Sequence, residues 1–167
     1  DLHLIQLYPK SETVRAFTVA DAGPEEKVYE DSLLDGDRGA PIRVSAAGGE
    51  VESFQLAVVP FWRDLDAVTV EASELRAGNG TIPAGQVTFR LVDYVRLEGV
   101  DPDDLTMHER EPDILWPAKP FPVSKGKVRS VWVDVHVPRG TPEGDYEGTV
   151  TVKAAGQEVA RALQVHS

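Results

Sequence analysis

The sequence predicts an all-β protein: an antiparallel β-sandwich, immunoglobulin-like or jelly-roll-like, with one long proline-rich loop. Three observations predict it. Apolar residues recur at every second position through most of the chain, helical spacing is scarce, and turn residues interrupt the alternation roughly every ten positions.

The alternating segments are 41–46, 52–59, 67–72, 86–95, 129–137, 145–153 and 158–165. In GGEVESFQLAVVPFW (48–62), Phe54, Leu56 and Val58 take one phase and Ser53, Gln55 and Ala57 the other, as in a strand with one buried face. In SVWVDVHVP, Val131, Val133, Val135 and Val137 share a face, Trp132, Asp134 and His136 share the opposite one, and Pro138 ends the strand. In DYEGTVTVK, Tyr146, Val150 and Val152 point one way while Glu147, Thr149, Thr151 and Lys153 face water.

Between these last two strands lies PRGTPEGD, whose proline, glycine and aspartate content suits a tight reversal; the pair reads as a hairpin or as close Greek-key neighbours. AAGQE at 154–158 is a second short turn. Two stretches break the pattern. Residues 99–127 carry five prolines and little alternation, and a loop of that length usually has a function or covers something. Residues 21–39 are acidic and irregular, with one short strand expected around 27–29.

At 167 residues the chain is expected to be a single domain, 1–167, able to bury ~70% of its unfolded surface without staples. It has no cysteine, which excludes disulfides, thiolate metal sites and cysteine nucleophiles. A net charge of −11, from 17 basic and 28 acidic residues, repels phosphate backbones and anionic lipid, so neither nucleic acid nor membrane is an expected partner. No apolar run approaches the ~18 residues of a membrane span, and the N-terminus lacks the layout of a signal peptide. The chain begins at Asp1 and its only methionine is Met107, so the native start is expected to be missing, either processed away or trimmed; it stops at Ser167 right after a strand, as expected of a domain cut from a longer multidomain protein.

GEVESFQLAVVP (49–60), EPDILWP (111–117) and VWVDVHVPRGTPEGDYEGTVTV (131–152), in that order, resemble the N-terminal β-sandwich domain that precedes the catalytic barrel in glycoside hydrolase family 123 and related proteins. The resemblance implies a sandwich fold and membership of a carbohydrate-active protein. Hydrolysis of N-acetylgalactosamine glycosides would then rest on an acidic residue of the following barrel and the substrate's acetamido group. It also favours a secreted or periplasmic location. No residue here matches the family's catalytic Asp-Glu motif, so no catalytic role carries over, and Ile114 and Trp116 stand where the family pattern is looser.

The remaining chemistry is sparse. His3, His108, His136 and His166 are scattered, and no metal or cofactor is expected. The acidic runs Asp31, Asp35, Asp37 and Asp101, Asp103, Asp104 lack the spacing of a calcium loop and read as solvated. Glu50 and Glu52, two apart at a strand mouth, have no apolar pocket to raise a pKa. Ser124 and Ser130 lack a nucleophile-elbow context, and Gly78–Gly80 lies in a hairpin-like turn with no helix to hold phosphate. Asn79-Gly80-Thr81 matches the N-glycosylation acceptor pattern, a tripeptide common by chance.

Aromatic residues are the better candidates. Trp116 and Phe121 flank the proline-rich loop, where contact with a neighbouring barrel and internal packing are equally open, with direct sugar stacking as a third option. Trp132 lies in the polar phase of its strand and is expected to pack under a loop or edge. Three functions follow. The leading one is a non-catalytic accessory domain packing against a catalytic barrel. The alternative is an autonomous carbohydrate-binding module that contacts a glycan through Trp116, Phe121, Asp113 and His108. The third is a small hydrolase using Glu50 and Glu52 or the 101–104 loop.

Overall fold

The computed structural model describes residues 15–32, 39–99 and 110–167. These residues form strands β1 (Phe17–Ala22), β2 (Ile42–Ser45), β3 (Val51–Pro60), β4 (Leu65–Ala72), β5 (Leu75–Ala77), β6 (Gly80–Ile82), β7 (Val87–Arg96), β8 (Arg110–Pro117), β9 (Phe121–Val123), β10 (Arg129–His136), β11 (Asp145–Ala154) and β12 (Gln157–His166). They make a β-sandwich. One sheet has the order β1-β3-β10-β7-β8, and the other runs β2-β12-β11-β4-β9, with β5 paired to β11 and β6 to β5. Pairing is antiparallel throughout except between β12 and β2, which is parallel.

The seven alternating segments of the sequence are β2, β3, β4, β7, β10, β11 and β12, with ends displaced by at most two residues. Period-2 patterning works here because each strand has one face in the core. Phe54, Leu56 and Val58 of β3 and Val131, Val133 and Val135 of β10 pack against Tyr146, Val150 and Val152 of β11 and Leu163 and Val165 of β12.

The sequence reading needs four corrections. The 138–145 reversal does not make a hairpin, because β10 and β11 lie in opposite sheets and the chain crosses the sandwich there. Tyr146 fixes that crossing: its fully buried ring sends a hydroxyl back to the Pro142 carbonyl at 2.8 Å, a tyrosine corner. Gly80 leaves room for it, since a Cβ there would stand 2.6 Å from that hydroxyl. The proline-rich stretch is not all loop, for it contains β8 and β9. Residues 27–29 form no strand, and are held instead as a strap across the first sheet. Finally, β1, β5 and β6 lie outside the seven alternating segments; β1 is buried along both faces, so it shows no alternation. His108 and the 101–104 acidic run lie outside the described residues.

The 154–158 turn is a two-residue hairpin loop closing β11 onto β12. Ala155 (φ 52°) and Gly156 (φ 70°) both have positive φ, the combination of a type I′ turn. Ala155 carries a left-handed conformation that an alanine adopts at a cost. Replacing it with asparagine is expected to raise stability by about 1 kcal/mol, read as a higher urea midpoint with an unchanged m-value. An unchanged midpoint would show that the turn tolerates alanine freely.

Candidate functional site

The outer face of the five-stranded sheet is divided in two. Over β1 and β3 the outward residues are small, Ala20, Ala22 and Ala57, and segment 23–32 settles on them by inserting Val28. Val59, Phe61 and Val128 complete this second apolar cluster. Polar contacts pin the strap. Gln55, 3% exposed, donates through Nε2 to the carbonyls of Gly23 (3.0 Å) and Glu26 (2.7 Å), and its Oε1 accepts from the Ser130 hydroxyl at 2.8 Å. The Tyr94 hydroxyl donates to the Val28 carbonyl at 3.1 Å; burial pushes its pKa up to about 12, so it remains a donor at every physiological pH. The Val128 amide donates to the Glu30 carbonyl at 2.7 Å, and the Glu30 carboxylate meets Arg110 and Lys127.

Over β10, β7 and β8 the same face stays open as a groove of about 340 Å³. Residues 24–27 form one wall, Pro112, Asp113 and Leu115 of β8 the other, and Gln55, Val92 and Trp132 line the rest. Asp113 stands at an irregularity. Asp93 pairs with Ile114 and Tyr94 with Pro112, so Asp113 is the extra residue of a β-bulge. Lys27 at the rim reaches the Glu111 carboxylate at 2.8 Å, and that hydrogen bond and charge raise the pKa of its ammonium group.

Trp132 is held by its neighbour two positions on: its Nε1–H donates to Asp134 Oδ1 at 2.9 Å. The same oxygen accepts from Ser53 at 2.5 Å, and Oδ2 accepts from Arg90 at 2.8 Å. Partial burial pushes the Asp134 carboxyl pKa up, but the three hydrogen bonds and the Arg90 charge outweigh it and hold the group below its usual range. A depressed carboxyl contributes stability that is present above its unfolded pKa and lost as pH falls through the folded value. The stability gap between the wild type and Asp134→Asn should therefore be widest at neutral pH. It should shrink once pH drops below the ordinary aspartate value of 3.8, as read from urea midpoints across the range. A gap independent of pH would mean that the carboxylate's charge plays no part.

The sequence-predicted residues separate. Trp116, on edge strand β8, is 52% exposed, and Asp113 is exposed in the groove wall. Phe121 is 3% exposed in the main core, where it pairs across to Val68 of β4, so of its three readings its burial fits internal packing and leaves no ring face for a sugar. Trp132 is half-buried beside the strap, the cover its outward phase called for. The Glu50 carboxylate accepts from the Ala47 amide at 2.9 Å and so serves a turn. Among the described residues no three histidine or acidic side chains gather to hold a metal. The groove's other wall, 24–27, carried no sequence signal.

Comparison with known proteins gives the fold a relative. The sandwich superposes on a family 123 glycoside hydrolase from Clostridium perfringens, studied for glycolipid glycan hydrolysis, with a TM-score of 0.78 at 15% identity; the match covers 91% of this chain. The chain spans only 27% of that enzyme's length. The CooA pilin subunit of enterotoxigenic Escherichia coli (TM-score 0.44, 13% identity, 89% of this chain and 95% of that one) is too loosely similar to argue from. So is the Salmonella SafD adhesin (TM-score 0.39, 13% identity, 91% and 98%). No curated protein matches the chain significantly. The family model described as the glycoside hydrolase 123 N-terminal domain matches residues 41–154, a stretch that holds the Gln55–Ser130 pair, the Asp134 network and the tyrosine corner, and the chain belongs to that family.

Proposed function

We propose that this chain is a non-catalytic accessory domain of a glycoside hydrolase, packing against a catalytic barrel and helping to shape its substrate cleft. One observation carries the reading: the sandwich accounts for 27% of a family 123 enzyme's chain, so most of such an enzyme is built outside it. The carboxylates support it. Asp134 is bound by three donors and Glu50 by a turn amide, and neither arrangement leaves an acid poised for proton transfer.

The test compares hydrolysis of an aryl N-acetyl-β-galactosaminide by the chain alone, by a parent protein with its barrel, and by that parent lacking the sandwich. No turnover by the chain alone and impaired turnover by the truncated parent are expected. Turnover by the chain alone that disappears in a Glu50→Gln, Glu52→Gln variant would overturn the proposal in favour of a small hydrolase. A second reading, an autonomous carbohydrate-binding module, is favoured by Trp116, whose exposed ring is available for stacking. Calorimetric glycan binding lost in Trp116→Ala would support it.

A further inference from the structure

We propose that the groove between segment 24–27 and β8 is a secondary saccharide-binding site, with the Trp132 indole as its apolar platform and the Asp113 and Glu25 or Glu26 carboxylates as hydroxyl acceptors. The inference goes beyond the accessory role and rests on that reading for its carbohydrate context.

Each side of the groove is fixed before any ligand arrives. The Trp132 ring cannot swing freely, because its Nε1–H is bonded to Asp134, which Ser53 and Arg90 also hold. The 24–27 wall is held at both ends of its turn by the two bonds from buried Gln55. Asp113 is displaced from the ladder by the bulge of β8, and bulges re-aim side chains in this way. Such preorganisation lowers the ordering cost of binding, which matters most for a small ligand.

The lining matches the two-sided chemistry of a sugar. The C–H face of a pyranose packs on an indole ring, and Leu115 and Val92 extend that apolar surface. Its hydroxyls are donors, and ionised carboxylates are acceptors only. At about 340 Å³ the space is at the small end of ligand sites and suits one or two sugar units. An organic cation would also find an aromatic ring and carboxylates there, so the titration below carries a cation control.

The experiment uses the full 167-residue chain labelled with ¹⁵N. The three tryptophans Trp62, Trp116 and Trp132 give three indole N–H signals, so each acts as a reporter for its own location. Titration with methyl N-acetyl-β-galactosaminide and with methyl β-galactoside should move the Trp132 signal saturably, with an affinity of about millimolar for a ligand of this size. Trp62 and Trp116 should stay still. Asp113→Ala, a change at an exposed bulge that leaves the core untouched, should weaken binding about tenfold, the effect of losing one charged acceptor.

Saturable shifts at Trp116 alone would overturn the proposal and place the sugar on the edge strand. So would the absence of any saturable shift, or an equal response to tetramethylammonium chloride, which would assign the groove to cations. None of these outcomes affects the hydrolysis comparison between chain and parent, so the groove can fail while the accessory role stands.

Discussion

Replacing Arg161 with leucine is expected to destabilise the protein by about 3 kcal/mol, with a fall in Tm of roughly 6–12 °C for a chain of this size. Arg161 occupies a core-facing position of β12, in phase with Val159, Leu163 and Val165, and is 4% exposed. Its guanidinium donates to the carbonyl of Val19 at 2.9 Å, to that of Ala40 at 3.0 Å and to Asp21 Oδ1 at 2.6 Å. The contacts join β12 of one sheet to β1 of the other, beside the chain entering β2. Leucine fills similar space but removes the donor from the buried Val19 carbonyl and from the part-buried Ala40 carbonyl and Asp21 carboxylate, and a buried polar group that loses its partner costs more than the lost pairing returns. Asp21 is more open to water, so Asp21→Asn should cost only about 1 kcal/mol, and the double variant should fall short of additivity. A wild-type urea midpoint in Arg161→Leu would show that water replaces all three bonds.

Gly148→Ala is expected to cost about 2–3 kcal/mol, and Gly148→Val more, measured by the same denaturation. A Cβ at this position in β11 would stand 2.6 Å from Leu75 Cδ2, 2.7 Å from the Glu74 carbonyl and 2.7 Å from Ser73 Oγ. The leucine methyl can turn aside; the carbonyl cannot. The crowding arises where β4 ends and β5 begins along the same side of β11, and residues 73–74 step across between them. Ser73 holds the step by accepting from the Thr149 amide at 2.9 Å and donating its own amide to the Thr149 carbonyl at 2.9 Å. If Gly148→Ala unfolds at the wild-type midpoint, the step must be able to shift outward at no cost.

Strands with one wet face were legible in the sequence because water enforces their alternation, as in Val131, Val133 and Val135. Where that condition fails, the pattern weakens: β3 is buried on both faces from Phe54 on, and its alternation survives through Ser53 and Gln55, polar residues held by hydrogen bonds. β1 is covered on its outer face by Val28 and its neighbours, so Ala20 and Ala22 sit where a strand with a wet face would carry polar residues. β8 hides behind Pro112, Pro117 and a bulge that resets its phase at Asp113; prolines and charges of this kind suit an edge strand, which must avoid pairing with other chains. The proline and glycine content of 138–145 specified a reversal, but not whether the next strand rejoins the same sheet; the Tyr146 hydroxyl bond decides that over a distance too short for periodicity to register. Of the candidate site, the outward phase of Trp132 and Asp134 was readable. The partner wall was not, because 24–27 is placed by Gln55, some thirty residues away in sequence.

The strap over β1 and β3 gives the outer face of the first sheet a step, with a raised shoulder formed by 23–32 and a lower terrace over β10, β7 and β8. A flat sheet face can be approached by a neighbour at many rotations about its normal. A stepped one admits few, because a rotated partner strikes the shoulder or leaves the terrace empty. The same alanines that let Val28 in therefore make the surface directional, so that a body resting on it is told which way to face as well as where to sit.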